Sequence, residues 1–181
     1  ITIEDPIEVL HNDRAASINQ REIGVDAENF STAMRAAMRQ DPDVILVGEV
    51  RDTETAELAV RAAMTGHLVL TTLHTNSTVA AMTRLVDMGV EPYMLASSLS
   101  ALVAQRLVRR PCRGCAVPDD PDQETLRTWQ IDPATLEGAR LVRGAGCPEC
   151  AQSGYRGRSG VFEVLPVSTE LRRTLAADPS E

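Results

Sequence analysis

The sequence predicts an α/β fold, a parallel sheet flanked by helices, carrying a small excursion held by a metal. Three observations predict it. Apolar runs of strand length alternate with helix-period segments through the first ninety residues. A polar cluster follows each of three such runs. Four cysteines, Cys112, Cys115, Cys147 and Cys150, stand beyond them in two C-x-x-C pairs.

Residues 1–4 read as a strand. Over residues 29–40, Phe30, Met34, Ala37 and Met38 fall at helical spacing. Residues 44–47 form an unbroken apolar, β-branched run, the pattern of a strand buried on both faces of a parallel sheet. Residues 53–64 follow as a helix with Asp52 at its N-cap. Residues 68–73 give a second buried strand, and residues 77–88 a helix closed by Gly89 at the position after its end. Right-handed crossovers are expected between these strands.

Residues 92–109 read as a further, well-buried helix. Pro92 suits its first turn, and Tyr93, Leu95, Ala96, Leu99, Leu102, Val103 and Leu107 make it apolar over much of its surface. The character changes at Pro111. Residues 111–150 hold the cysteine pairs and an Asp/Pro stretch at 119–122. Residues 154–167 return to β-like alternation with turn glycines at Gly157 and Gly160, and residues 168–177 form a short helix capped by Ser168. The expected organisation is a core over 1–110, a cysteine subdomain over 111–152, and a C-terminal segment over 153–181 that packs on the core.

Aromatic residues are only 3% of the chain, so the core is built from Ala, Val, Leu, Ile and Met. The net charge of −8 argues against passive binding to nucleic acid, whose phosphates it repels. No run approaches the roughly 18 apolar residues a membrane span needs. Nothing at the start reads as a signal peptide. Because the first residue is Ile1 rather than Met, the chain reads as a piece whose N-terminus lies upstream.

In open parallel sheets, ligands bind beyond the carboxyl ends of the strands. The three polar clusters belong at that rim: Asp5 to Glu8, Gly48 to Asp52, and His74 to Asn76. Glu49 ends an apolar strand behind Gly48, which permits close approach. A carboxylate there can hold Mg²⁺ directly or through water. Glu8 is a second carboxylate, suited to orienting or deprotonating a water. Phosphoryl transfer needs both roles, since its catalysis is mostly positioning and charge stabilisation. The plain alternative is that each carboxylate caps the following helix. His67 and His74 flank one strand and stand roughly 23 Å apart at about 3.3 Å per residue. His74 is the candidate for sensing phosphate. His67 belongs to the opposite edge, where a structural hydrogen bond or a subunit contact would explain it. His11 reads as a solvated loop residue.

Each C-x-x-C pair offers two thiolates from a tight turn, and two turns complete a tetrahedron of the kind Zn²⁺ favours in closed structural sites. Four thiolates leave no open position for water, so the site braces the excursion. Two disulfides, four free thiols or an iron–sulfur cluster are the alternatives.

Taken together, these residues resemble the type II/type IV secretion ATPase family, a RecA-like branch of the P-loop NTPases, over nearly the whole chain. Ile3-Glu4-Asp5-Pro6-Ile7-Glu8 resembles the family's Asp box. The run from Arg39 through Asp41-Pro42-Asp43-Val44-Ile45-Leu46-Val47-Gly48-Glu49 to Asp52 resembles its Walker B segment, with Glu in place of the usual terminal Asp. Thr65-Gly66-His67-Leu68 and Thr72-Leu73-His74-Thr75-Asn76 resemble its His box.

The resemblance implies a RecA-like P-loop core with ATP and Mg²⁺ as ligands. Glu8 would position water, Glu49 would act through Mg²⁺ and its water shell, and Arg51 would support Walker B. Asp5, His67 and His74 would respond to nucleotide. Arg156 and Arg158, among glycines just past the last cysteine, could reach a phosphate across a subunit boundary; a solvated turn is the alternative. Arg109-Arg110 and Arg172-Arg173 read as solvated or as contacts to an acidic partner. The family forms homo-hexamers at the cytoplasmic side of the bacterial inner membrane. They work a platform protein there, for type IV pilus assembly or type II secretion.

One departure stands out: no G-x-x-x-x-G-K-[ST] loop occurs in the 181 residues. In the family that loop precedes the Asp box, so its expected place is upstream of Ile1. The fragment alone is therefore expected to be inactive. The segment Asn19 to Gly24 resembles pilus retraction motors, whereas the cysteine pairs resemble the assembly and secretion branch. A DNA-uptake or conjugation motor, and a nonenzymatic zinc-braced docking module, are the other readings.

Overall fold

The computed structural model describes residues 1–177; the last four residues of the expected 153–181 segment lie outside the described residues. The chain divides into two compact units, one of residues 1–104 together with the segment from Glu163 on, the other Gln105–Phe162.

The first unit is built on four parallel strands in the order β2-β1-β3-β4. They are β1 (Thr2–Glu4), β2 (Gln20–Glu22), β3 (Val44–Val47) and β4 (Leu68–Thr71). Strand β2 lacks the apolar pattern that marks the others, and the sequence reading does not include it. Helix α1 (Phe30–Ala37) is capped by Asn29, whose side chain accepts from the Thr32 N–H at 2.8 Å. Helix α2 (Thr53–Met64) is capped by Asp52, which accepts from the backbone N–H of Thr55 at 2.8 Å and from its hydroxyl at 2.9 Å. Helix α3 (Thr78–Asp87) starts from Ser77 and ends at Gly89, whose φ of +88° costs a glycine nothing. Asp52 is the cap the sequence pattern marks, whereas Asn29 and Ser77, read there as the first residues of their segments, stand as caps just outside the helices.

The core packs Ile3, Ile45 and Val47 of the sheet against Met34 and Ala37 of α1 and Ala56, Ala59 and Ala62 of α2. Small residues on α2 let the helix sit close over the strands. Helix α4 (Pro92–Ser98) adds the fully buried Leu95. The expectation that β3 and β4 are covered on both faces is corrected. The core lies on one face, and Val44, Leu68 and Leu70 on the other stay 40–53% exposed.

The expected helix over 92–109 is also corrected. It stops at Ser98, and residues Ala101–Pro111 form strand β5, with Val103 and Leu107 exposed. Local chemistry explains the stop. The Ser97 hydroxyl donates to the Tyr93 and Met94 carbonyls, both at 3.0 Å, and the Ser98 hydroxyl to the Met94 carbonyl at 2.7 Å. Such back-bonding weakens a helix end, and Leu99 then turns extended at ψ 130°.

Strand β5 pairs with β8 (Tyr155–Pro166), and Gly157 and Gly160 lie within that strand rather than in turns. The second unit holds a small hairpin of β6 (Ala116–Pro118) and β7 (Val142–Gly144), with helix α5 (Gln123–Thr128) between them. Helix α6 (Thr169–Ala177) closes the first unit, its Leu171 N–H bonded to the Ser168 hydroxyl at 3.1 Å. Arg172 is not a solvated residue. Its guanidinium donates to the Ala96 carbonyl and, at 2.6 Å, to the Leu99 carbonyl, satisfying groups left open at the end of α4.

Candidate functional site

The carboxyl ends of β1, β3 and β4 open onto a cleft of about 370 Å³ lined by Asp5, Glu8, Gly48, Glu49, Arg51, Thr72 and His74 among others. A larger hollow of about 630 Å³ lies over the bare face beside Val44, Leu46 and Leu70, but its titratable groups, His11, Asp41 and Asp43, are exposed. The rim cleft is where the chemistry-bearing groups converge.

Gly48 sets the geometry. Its N–H donates to the Ile3 carbonyl at 2.7 Å, and its carbonyl accepts from the Thr72 hydroxyl at 2.7 Å. A Cβ on Gly48 would stand 3.3 Å from that Ile3 oxygen and 3.4 Å from the Glu4 Cα. Next, the Val50 N–H donates to the Thr72 carbonyl at 3.1 Å. Glu49 is thus held between neighbours on both sides and is only 8% exposed. Its carboxylate pairs with Arg51 and meets the His74 ring at 2.9 Å through Nε2. The Arg51 guanidinium beside it holds the Glu49 carboxyl below its ordinary range; burial opposes this and His74 assists. Glu49 therefore remains an anion at neutral pH, with two cationic or donor side chains in contact.

The loop that carries Asp5 and Glu8 is tied down from β2. The Gln20 amide donates to the Val9 carbonyl at 3.0 Å and accepts from the His11 N–H at 2.7 Å, and Glu22 accepts from the Ile7 N–H at 3.1 Å. Gln20, Glu22 and Thr72 are positioning residues that sequence reasoning missed. The available signal was the two-residue spacing of Gln20 and Glu22, which puts both on one face of a strand.

The structure gathers Asp5, Glu8, Glu49, Arg51 and His74 at one cleft. It does not bring His67 there. The His67 ring lies at the other end of β4, with Nδ1 2.9 Å from the Ala62 carbonyl and 3.2 Å from the Thr65 hydroxyl, closing the end of α2. Arg156 and Arg158 belong to the second unit, where Arg156 pairs with Glu149 at 3.1 Å. In the same unit Arg109 lies over the Tyr155 ring, 4.0 Å from its centre.

The four cysteines of the second unit converge. Sulfur separations are 3.9 Å for Cys112–Cys147, 3.9 Å for Cys115–Cys150 and 3.7 Å for Cys147–Cys150, with all four Sγ atoms within 4.8 Å of one another. A regular tetrahedron with metal–sulfur bonds of about 2.3 Å has edges of about 3.8 Å, so the set fits a four-sulfur metal ion. No sulfur pair is at bonding distance, and all four thiols are free. Backbone donors already face the sulfurs. Gly146 points its N–H at Cys115, 3.3 Å away, and Cys147 and Gly154 point theirs at Cys150 from 3.2 and 3.3 Å. Burial alone would raise the Cys150 thiol, but those two donors, together with the Cys147 and Cys115 side chains, outweigh it and bring it to about 6. Burial, with the three neighbouring cysteine side chains, pushes Cys115 up to about 11.

The family profile for Type II/IV secretion system proteins matches residues 1–181. The chain belongs to that family. Curated family members include the type IV pilus assembly ATPase PilB of Thermus thermophilus, 48% identical over 99% of this chain and 20% of that protein. Type II secretion system protein E of Pseudomonas aeruginosa is 46% identical over 100% of this chain and 35% of its own length. The chain therefore spans about a fifth to a third of the curated relatives it matches. Among solved family structures, the pilus retraction motor PilT with bound ADP superposes with a TM-score of 0.69 at 34% identity, over 97% of this chain and 40% of that one. The ATPase DotB of Legionella pneumophila gives 0.66 at 27%, over 99% and 40%. Both solved structures share the mixed α/β fold of this chain. Among the described residues, no helix is long and apolar enough to cross a membrane.

Proposed function

We propose that this chain is the part of an ATP-hydrolysing motor, for type IV pilus assembly or type II secretion, that carries the water-positioning and metal-binding carboxylates. The observation that carries the reading is the shared cleft of Glu8 and Glu49 at the carboxyl rim of a parallel sheet. Glu49, kept ionised by Arg51, is the group that would hold Mg²⁺ or its water shell; the ion, when bound, neutralises phosphate charge. Glu8 and Asp5 line the same cleft from a braced loop, and Glu8 is the group that would align or deprotonate the attacking water. His74 is bound to Glu49, so a shift of that carboxylate on nucleotide binding or release moves the segment that follows β4. His67, Arg156 and Arg158 are assigned to nucleotide-linked contacts in the assembled homo-hexamer rather than to this cleft.

The tetracysteine set is assigned to Zn²⁺, which would brace the second unit without joining the reaction. The working setting is the cytoplasmic face of the inner membrane against a platform protein. The second reading, a nonenzymatic docking module, fits the isolated 181 residues, because they contain no phosphate-binding glycine loop with its lysine.

The test uses the complete protein. Magnesium-dependent ATP turnover is expected, with Glu49→Gln and Glu8→Gln each lowering kcat by about 100-fold or more. The isolated 181 residues are expected to show none. Unchanged turnover in Glu49→Gln would remove that residue from the mechanism, and steady turnover by the isolated piece would refute the dependence on a separate phosphate-binding loop.

A further inference from the structure

Glu163 is separated from the rim residues by 85 or more positions, yet its carboxylate is bonded to the segment that carries His74. Thr78, the first residue of α3, is 1% exposed. Its hydroxyl donates to one carboxylate oxygen of Glu163 and its backbone N–H, at 3.4 Å, to the other. Helix α3 already has an N-cap, since the Ser77 hydroxyl accepts from the Ala80 N–H at 3.2 Å. The long-range carboxylate is thus a second cap, on the Thr78 N–H, an N-terminal donor that the Ser77 side chain does not serve. The partial positive charge of that helix end favours an anion there.

The segment between the two anchors is short. His74 meets Glu49 at 2.9 Å, and four residues later Thr78 meets Glu163. Between them the Thr75 N–H is folded back onto the Leu73 carbonyl at 2.9 Å, and the Thr75 hydroxyl reaches the Ser77 carbonyl at 3.4 Å. The His74 side chain itself is 83% exposed, so packing does not fix where its ring stands. The backbone that presents the ring must do so, and that backbone is held at one end by Glu163.

We propose that Glu163 is a positioning residue for the hydrolysis reaction, which sets His74 against Glu49 by anchoring the start of α3 through Thr78. The inference rests on the ATPase reading above. Loss of the Glu163 carboxylate frees the Thr78 end of the segment, and the His74 ring then samples positions away from Glu49. Turnover should fall with little change in nucleotide affinity, because Glu163 is not among the residues that line the cleft.

A double-mutant cycle in the complete protein tests this. Glu163→Ala and His74→Ala are each expected to lower kcat by about 10-fold or more, with KM within about twofold. The double variant should be no slower than His74→Ala alone, since Glu163 acts through that ring. Thr78→Val, which keeps the helix but removes the hydroxyl, should show the same dependence on His74. If Glu163→Ala does not fold, Glu163→Met, which keeps the length of the side chain and removes both acceptor oxygens, takes its place in the cycle. Losses that multiply in the double variant, or a Glu163 variant with unaltered kcat, would overturn the proposal while leaving the ATPase reading intact. A complete, unmodified protein without turnover would overturn that reading and this inference with it.

Discussion

The acidic rim and the four-cysteine cluster each bring together residues from distant parts of the chain, but by different physical means. At the rim, the turns after β1, β3 and β4 are set by a hydrogen-bonded parallel ladder lying on a core that includes Ile3, Met34, Ile45, Val47 and Leu95, each fully buried. The backbone decides where Glu8, Glu49 and His74 go. In the cysteine unit there is almost no core: Leu126 is the one large apolar side chain among the described residues that is buried there, alongside Cys112 and Cys150. Order at the rim comes from that ladder and core, whereas order at the cysteines would rest on the Zn²⁺ proposed for them.

The sharpest way to break this contrast is to remove the metal. A strong chelator, or Cys112→Ser, should unfold the second unit, because structural zinc supplies on the order of 10 kcal/mol of folding free energy in small domains. Trp129 is the chain's single tryptophan and lies in that unit, so its fluorescence reports the loss directly. Hydrogen exchange at Ile45 and Val47 should stay slow. Exchange that quickens equally in both units would erase the distinction. The complementary break is Met34→Ala in the first unit, where a fully buried side chain is deleted. It should cost about 3 kcal/mol there, read by denaturant unfolding, and leave metal content unchanged.

A smaller effect sharpens the role of the caps. Asp52→Ala removes both bonds to Thr55 and should cost about 1 kcal/mol, visible as faster exchange in the first turn of α2. The smallest effect concerns Glu4. Burial alone would raise its carboxyl, but donors from Thr2 and Gln20 outweigh it and hold the group below its ordinary 4.5. The resulting stabilisation is fully present above 4.5 and is lost as pH falls through the lowered value. The stability gap between the unmodified protein and Glu4→Gln should therefore narrow between about pH 5 and pH 3. A gap that widens on acidification would reverse the sign.

Much of the first unit was legible in the sequence because its signals are local. Val44–Val47 reads as a strand from four apolar residues, α2 announces its start through Asp52, and α3 its end through Gly89. The rim followed, since a strand with a carboxylate after it puts that group at the carboxyl edge. The convergence of the cysteines followed from their spacing. Strand β5 did not, because Leu95, Leu99, Leu102 and Val103 satisfy helical spacing as well as any helix, and its pairing partner β8 begins 44 residues beyond its end. The serines at 97 and 98 were the local evidence against a helix, and it is weak evidence without the bonds they make. The links to Glu163 and from Gln20 join segments that no periodicity relates, so only the folded chain displays them.

Gly48 has one more consequence. With hydrogen alone at that position, the backbone bearing Glu49 rests directly on the backbone that leads to Glu8, with 3.3 Å left for any would-be methyl carbon. The gap between the two acids is consequently a spacer whose thickness is written in a single codon. Alanine there would wedge the rails apart by a few tenths of an ångström, enough to retune how the pair grips whatever lies between them without touching either acid.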